Sequence, residues 1–382
     1  MNWAYRLIKY TPDTVPYIAA PLLVNNRFLD SSFFYIEEPF QQFFNIKNPD
    51  NEWNVSRLRY YWYAIALRSF YPYYVKYVII KEGIELMHAH FAHVGVEYMR
   101  LAAKYNIPLI VSFYGTDYER LPFEQPKYKK LYQEMFQKAT FLICEGENGV
   151  KLLENMGCPK AKIRIVKLGI EASNIPFFTK EKQTNQLRLI QAATFTETKG
   201  FTDTLQAFAK ALENCPNMHL TLVGEKFEPD YWHEVSQVID NHQLSDRIEV
   251  LEFIENDFHG FLSQFDVFIH PSRYSKLREC EGGAPIVLLD AQAVGLPIIS
   301  TTHCDIPSEV LHEKTGLLTP EKDIFALAKS IETFYLMNNE TYQVFAKNAR
   351  QHVENEYDSV KNSERLRGIY EEVGKVKKIE LR

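Results

Sequence analysis

Cysteine is scarce in this chain, five residues in 382 (Cys144, Cys158, Cys215, Cys280 and Cys304), and no two of them form a Cys-x-x-Cys pair. An odd, scattered set predicts neither a disulfide framework nor a thiolate zinc site, so a reducing, cytoplasmic setting is expected. Basic charge is not in excess either. The formal net charge is -6 and the pI near 6.0, whereas nucleic-acid binding calls for a concentrated basic face, so that class is set aside. No run of about 20 apolar residues is present to span a membrane. The early run Tyr17 to Val24 is interrupted by Pro21 and too short for a signal h-region. Any membrane contact is therefore expected to be peripheral, at the inner face of the plasma membrane. An Asp-x-Asp pair is also missing, and no metal or cofactor is predicted.

The composition that remains, 46% hydrophobic, 24% charged and 14% aromatic with 23 Tyr and 26 Phe, is that of a globular protein with a large core. At this length one core usually stops growing, so two domains with a binding cleft between them are expected. From Leu187 onward, apolar runs of five to eight residues alternate with helical spacing. Strands are predicted at 187–193, 219–224, 248–254, 266–270, 297–301 and 316–318, and helices at 200–212, 231–242, 258–265, 285–294 and 324–337. In the first half, strands are predicted at 86–90, 109–114, 141–144 and 163–166. Continuously apolar strands such as Asp266-Val-Phe-Ile-His270 are buried on both faces, which implies parallel sheets covered by helices. The polar segment Glu171 to Gln186 reads as a linker. The domains so drawn are 1–175, 187–345 and a charged helical tail at 346–382.

Ligands of open α/β sheets bind beyond the carboxyl ends of the strands, which selects Glu281-Gly-Gly-Ala-Pro-Ile-Val-Leu-Leu-Asp290. Pro285 stands at a plausible first helical position. Backbone N–H groups at a helix start attract anions, and Gly282 and Gly283 allow close approach. Glu281 before the turn and Asp290 inside the helix are spaced to reach different hydroxyl groups of one ligand. A diphosphate with a sugar at each end meets that description. His88, His90 and His93 at a strand end could in principle hold a metal, but no further ligand of suitable spacing completes the shell.

This segment resembles the Glu-x7-Glu signature of the retaining family 4 glycosyltransferases of the GT-B fold, with a likeness to the exopolysaccharide and colanic-acid-type members. The resemblance implies two Rossmann-like domains with parallel sheets facing across a cleft. It implies that Glu281 contacts the transferred sugar, that Asp290 binds the ribose, and that Gly282, Gly283 and Ala284 line the donor. The chain departs from the signature by one extra glycine and by Asp290 in place of a second Glu. Ala192 to Phe201 resembles the family turn in which an Arg and a Lys clamp the pyrophosphate. Lys199 and Gly200 are kept, while Thr194 occupies the Arg position, with Arg273, Lys276 and Arg278 as candidate replacements. Phe253 and Ile254 match the site of the nucleotide base. Cys304 and Asp305 replace two glycines near the pyrophosphate, Cys304 reading as a packed thiol. Phe113-Tyr-Gly-Thr-Asp117 resembles a His-Gly-x-Asp motif, placing Tyr114 and Asp117 with Glu281 and Lys199 among the catalytic residues, and His88, His90 and Gly115 on the acceptor side.

The implied reaction moves a sugar from a nucleotide sugar to a glycan or lipid-linked acceptor with retention, in cell-surface polysaccharide biosynthesis. Thr194 and Tyr114 motivate an alternative, a non-catalytic nucleotide-sugar-binding subunit; an epimerase of the same fold is another. Asn54 to Lys81 is dense in aromatic and basic residues and reads either as core or as a membrane-facing helix.

Overall fold

The computed structural model describes residues 9–11, 17–19, 34–36, 73, 76–254, 256–283 and 285–380, the side chains of 17–19, 34–36 and 375–380 excepted. Most of the stretch from Asn54 to Lys81, and Ala284, therefore lie outside the described residues. Among the described residues no helix is long and apolar enough to cross a membrane.

Two parallel sheets organise the chain, and β1 (Tyr17–Ala19) and β2 (Phe34–Ile36) form a separate short parallel pair. The first sheet has the order β3 (Met87–His90), β4 (Leu109–Ser112), β5 (Phe141–Cys144) and β6 (Ile163–Ile165). Its connections carry α1 (Ala92–Lys104), α2 (Gly115–Tyr118), α3 (Arg120–Glu124), α4 (Lys127–Lys138) and α5 (Glu147–Asn155). Every residue of β4 and β5 is buried, as continuously apolar parallel strands require.

The second sheet is built from β7 (Leu187–Ala192), β8 (Met218–Val223), β9 (Ile248–Leu251), β10 (Val267–His270), β11 (Ile298–Thr301) and β12 (Gly316–Thr319). Its helices are α6 (Phe201–Leu212), α7 (Pro229–Asn241), α8 (Phe258–Leu262), α9 (Ile286–Val294), α10 (Ile306–Glu309) and α11 (Ile324–Leu336). The spatial order is β12-β11-β10-β7-β8-β9. From β7 the chain runs outward through β8 and β9, then returns to the other side of β7 as β10. The point of reversal lies between β7 and β10, where the connections diverge and leave a crevice at the carboxyl ends. Both Lys199 and Glu281 follow strands that border it.

Two helices close the chain, α12 (Asn339–Glu356) and α13 (Ser359–Glu380). The first stays with the second sheet: Arg350 donates to the carbonyls of Ala172, Ile175 and Ala293. The second crosses back, burying Leu366, Ile369 and Val373 against Ile110, Phe141, Ile143 and Val166 of the first sheet. Each such side chain stabilises the crossing by about 2 kcal/mol. At the crossing point the backbones of Ile170 and of Tyr357 and Ser359 pair, so the two connections between the halves are hydrogen-bonded to each other.

Several expected boundaries shift for local reasons. The strand predicted at 248–254 ends at Leu251, before Phe253 turns out to solvent. The strand predicted to reach Tyr114 ends at Ser112, because Tyr114 opens α2. Gly200 is not helical: with φ +67 it precedes α6, and a Cβ there would lie 2.1 Å from the Pro271 carbonyl oxygen. Only glycine allows this approach, which brings the Lys199 turn onto the loop after β10. Pro285 is likewise extended, at ψ 123, so α9 starts at Ile286.

Candidate active site

A cleft of about 370 Å³ lies at the reversal point, lined by Phe91, Gly115 and Thr116 from the first half and by Thr194, Lys199, Phe227, Glu279, Cys280 and Glu281 from the second. Glu281 is held on several sides. Lys199 Nζ lies 2.6 Å from Oε2 and Ser272 Oγ donates to Oε1 at 2.7 Å, with His270 Nε2 3.6 Å from Oε1. Its own N–H donates to His303 Nε2 at 3.1 Å, while His303 Nδ1 meets Glu321 Oε1 at 2.7 Å. Because Nε2 accepts, the His303 proton sits on Nδ1 and is given to Glu321. Burial opposes ionisation of Glu281, but the Lys199 ammonium outweighs it, with His270 behind, and holds the carboxyl well below the usual carboxylate range. The cleft thus carries a fixed anion and one cation in direct contact.

The loop that carries Glu281 is pressed against the first half. Gly282, at φ +83, meets the backbone of Gly115 so closely that a Cβ on it would lie 2.3 Å from the Gly115 nitrogen. Cys280 Sγ donates to the Gly115 carbonyl at 3.4 Å, and Arg120 of α3 pairs with Glu279 at 2.8 Å. Asp305 reaches from after β11 to accept from the Asn148 N–H at the start of α5, at 2.8 Å. These contacts make the Glu281 loop part of the seam between the halves.

The expected phosphate cradle is altered by this docking. Gly283 lies against the Glu145 side chain, where a Cβ would come within 1.6 Å of Oε2, and Gly282 lies against the Gly115 backbone. Protein groups therefore pack on both glycines, and the helix begins three residues after Gly283, at Ile286. Burial pushes Glu145 well above its ordinary range, with the charges of Asp305 and Glu281 adding to the effect. Glu145 directly follows β5 and packs against Gly283, and no local pattern in the sequence marks it.

None of the three candidate replacements for the missing Arg lines the cleft. Arg273 is committed to Asp203 at 2.7 Å and to Glu197 at 3.6 Å. Lys276 pairs with Glu234 at the surface, and Arg278 lies over the Phe123 ring. Thr194 itself is exposed at the lip.

On the first-half side, His90 Nδ1 lies 2.8 Å from the Tyr114 hydroxyl, and His88 has both ring nitrogens engaged, by Tyr370 Oη at 2.7 Å and Ser112 Oγ at 2.8 Å. Tyr370 comes from α13, so the last helix reaches the HAH strand end. Burial lowers both imidazoles, His90 to about 4, which leaves them neutral hydrogen-bonding groups. His93 is exposed on α1, apart from this chain of bonds. Asp117 does not enter the cleft: it is fully buried, and its Oδ2 accepts from the Tyr114 N–H at 3.0 Å in a capping box. In this position it holds the Tyr114 backbone, whereas its motif predicts it among the groups at the cleft. Burial raises its carboxyl to about 7.

Farther along the second sheet, Asp290 on α9 bonds His259 of α8 at 2.9 Å. Phe253 is 73% exposed on the loop before α8, and Ile254 packs partly into the core beside Phe258.

Comparison with known proteins agrees with this fold. Residues 174–352 match the family model described as glycosyl transferases group 1, and residues 38–174 the model described as Glycosyltransferase Family 4. WcaL of Escherichia coli, whose name gives it as a colanic acid biosynthesis glycosyltransferase, is 28% identical over 232 residues, 60% of this chain and 56% of that one. The matches span little more than half the length of the curated relatives. A glycosyltransferase structure from Rickettsia africae superposes with a TM-score of 0.70 at 19% identity, covering 96% of this chain and 94% of that one. Anabaena HepE, solved in complex with UDP-glucose, gives 0.63 at 17% identity, covering 78% and 81%. At these identities the two structures speak to the GT-B fold.

Proposed function

We propose that this chain, which belongs to the group 1 and family 4 glycosyltransferases, transfers a sugar from a nucleoside diphosphate sugar to a glycan or lipid-linked acceptor in cell-surface polysaccharide biosynthesis. The observation that carries the reading is the Lys199–Glu281 pair at the reversal point of the second sheet, in a cleft completed by Gly115, Thr116 and Phe91 of the first half. The colanic acid assignment in the name of WcaL and the UDP-glucose of HepE support the pathway class and the donor class.

In this reading the donor diphosphate lies along Lys199, which shares its charge between Glu281 and the departing phosphate. Oriented charge at a developing anion is commonly the largest catalytic contribution. Glu281, kept ionised by Lys199, accepts hydrogen bonds from hydroxyl groups of the transferred sugar. Tyr114, held by Asp117 and His90, presents the first half's contact to the same sugar, and His88 and His90 stand on the acceptor side. The chemistry uses no protein nucleophile, which fits transfer with retention in which the donor phosphate helps deprotonate the acceptor hydroxyl. It also needs no metal. The site is assigned to the cytoplasmic side, peripheral to the membrane.

The test is donor-dependent nucleotide release over a panel of UDP-, GDP- and ADP-sugars, with and without a chelator, for wild type and Glu281→Ala. Turnover that persists with chelator and falls at least about 100-fold in the variant is expected. Donor binding without turnover on any acceptor would favour the non-catalytic subunit instead.

A further inference from the structure

Glu281 is held in two ways that a bound donor affects differently. Its carboxylate rests on Lys199 and Ser272, and in the reading above Lys199 divides its charge with the donor phosphate. The Glu281 backbone is held from elsewhere. Its N–H donates at 3.1 Å to Nε2 of His303, which follows β11, and His303 Nδ1 meets Oε1 of Glu321, which follows β12, at 2.7 Å. The other carboxylate oxygen of Glu321 accepts the Tyr274 N–H at 3.0 Å, and the Tyr274 ring stands edge-on to the imidazole, 4.9 Å between centroids. His303 is fully buried. Burial works against ionisation of Glu321, but the hydrogen bonds from His303 and Tyr274 outweigh it and keep the carboxyl below its ordinary range.

An imidazole nitrogen can accept from the Glu281 N–H only while the ring proton is on the other nitrogen. The Glu321 carboxylate beside Nδ1 selects that tautomer. We propose that His303 and Glu321 form a positioning pair for Glu281: Glu321 fixes the tautomer of His303, and His303 sets the backbone, and with it the carboxylate, that meets the transferred sugar. The inference rests on the reading of Glu281 as a contact to that sugar. Neither member of the pair is among the residues lining the cleft, so both act through Glu281. Their hold on it does not pass through Lys199, and it therefore persists when the lysine turns to the donor phosphate.

The experiment measures kcat, KM and nucleoside diphosphate affinity of the full chain for His303→Asn, His303→Gln, Glu321→Ala and the double variant His303→Gln with Glu321→Ala, together with nitrogen NMR of histidine-labelled protein. Asparagine places an N–H where Nδ1 stood and offers no acceptor at Nε2. Glutamine places an amide oxygen where Nε2 stood, an acceptor with no tautomer to fix. His303→Asn should lower kcat about 10- to 100-fold, as for a catalytic group displaced by up to about 1 Å, with nucleotide affinity nearly unchanged. His303→Gln should restore most of the loss. Glu321→Ala should lower kcat beside His303 but have little effect beside Gln at that position, a pattern that lost packing alone would not give. The nitrogen signals that disappear in His303→Gln should be those of a ring protonated on Nδ1. Wild-type kcat in a folded His303→Asn, equal losses from Glu321→Ala in both backgrounds, or a ring protonated on Nε2 overturns the proposal while leaving the reading of the site standing. If wild type turns over no donor, or Glu281→Ala turns over as wild type does, the reading of the site falls and this inference with it.

Discussion

Replacing Gly115 by alanine puts one methyl group into the seam between the two halves, at a place with no room for it. The new Cβ would lie 2.2 Å from the Cys280 carbonyl oxygen and 2.9 Å from that of Glu281. Both neighbours are backbone and cannot swing aside, so the 280–282 loop must retreat by about 1 Å to restore ordinary contact distances. The retreat carries Glu281 with it and loosens the contacts made by the same loop. Arg120–Glu279 is partly exposed and worth about 0–1 kcal/mol. The Asp305 acceptor at the α5 start, joined to the loop through the Asp305 N–H to Gly283 carbonyl bond, is worth about 1 kcal/mol. With the thiol bond of Cys280 the closed seam loses about 2–3 kcal/mol, and a misplacement of this size at a catalytic group costs about 100-fold. We expect kcat/KM to fall about 100-fold. Donor affinity should change little, because the residues assigned to the nucleotide sit on the second half. The melting temperature should stay within a few degrees, since Gly115 belongs to none of the hydrophobic clusters and alanine is the better helix former in α2. Initial rates, nucleotide calorimetry and thermal denaturation read these three quantities separately. An unchanged kcat/KM would refute the idea that the Gly115–Gly282 contact sets the position of Glu281.

Two further perturbations probe charge. Thr194→Arg adds a cation at the lip of a cleft whose described lining holds only Lys199, and should tighten nucleoside diphosphate binding about tenfold at low salt; equal affinities in calorimetry would show that the lip does not face the diphosphate. Asp117→Asn tests the carboxyl raised by burial to about 7. In wild type the unfolded chain ionises Asp117 near pH 4 while the folded chain keeps its proton, so stability falls as pH rises from about 4 to about 7 and stays lower above it. The asparagine variant lacks this contribution and keeps an acceptor for the Tyr114 N–H, so its advantage over wild type should grow by up to about 4 kcal/mol across that range. Denaturation midpoints followed against pH check this, and parallel curves for the two proteins would contradict it.

The strands and their order along the chain were legible because burial on both faces leaves an unbroken apolar run, as in Val267-Phe-Ile-His270. The element ends were less so. Gly200 and Pro285 look like helix openers, yet one is fixed by contact with the Pro271 carbonyl and the other is extended, and both facts depend on tertiary neighbours. Lys199, Glu281 and Gly115 could be picked out by their places after strands, and the three line one cleft, whereas Asp290, named from its spacing to Glu281, stands inside α9 against His259. Asp117 was found, but its burial behind Tyr114 was not foreseen, although Tyr114-x-x-Asp117 has the spacing of a capping box. Glu145, Arg120 and His259 were missed. The Arg120–Glu279 and Asn148–Asp305 contacts join residues 159 and 157 positions apart, and no local pattern marks such partners.

The departures from the family pattern take on a common meaning in the seam. Asp305, which stands where a glycine is expected near the pyrophosphate, sends its carboxylate across to α5. It can do so because Gly146 has no Cβ; one built there would lie 2.4 Å from Asp305 Cγ. Cys280, just before Glu281, gives its thiol hydrogen to Gly115, and the extra glycine of the Glu281-Gly-Gly turn, whether counted as Gly282 or Gly283, lies against Gly115 or against Glu145. In each case a glycine on one side admits a group from the other. The residues that weaken the resemblance at the phosphate therefore build the seam between the halves. The loop Glu279 to Gly283 both makes these contacts and carries Glu281, so a substitution that loosens the seam should lower turnover even where every group assigned to the donor is intact.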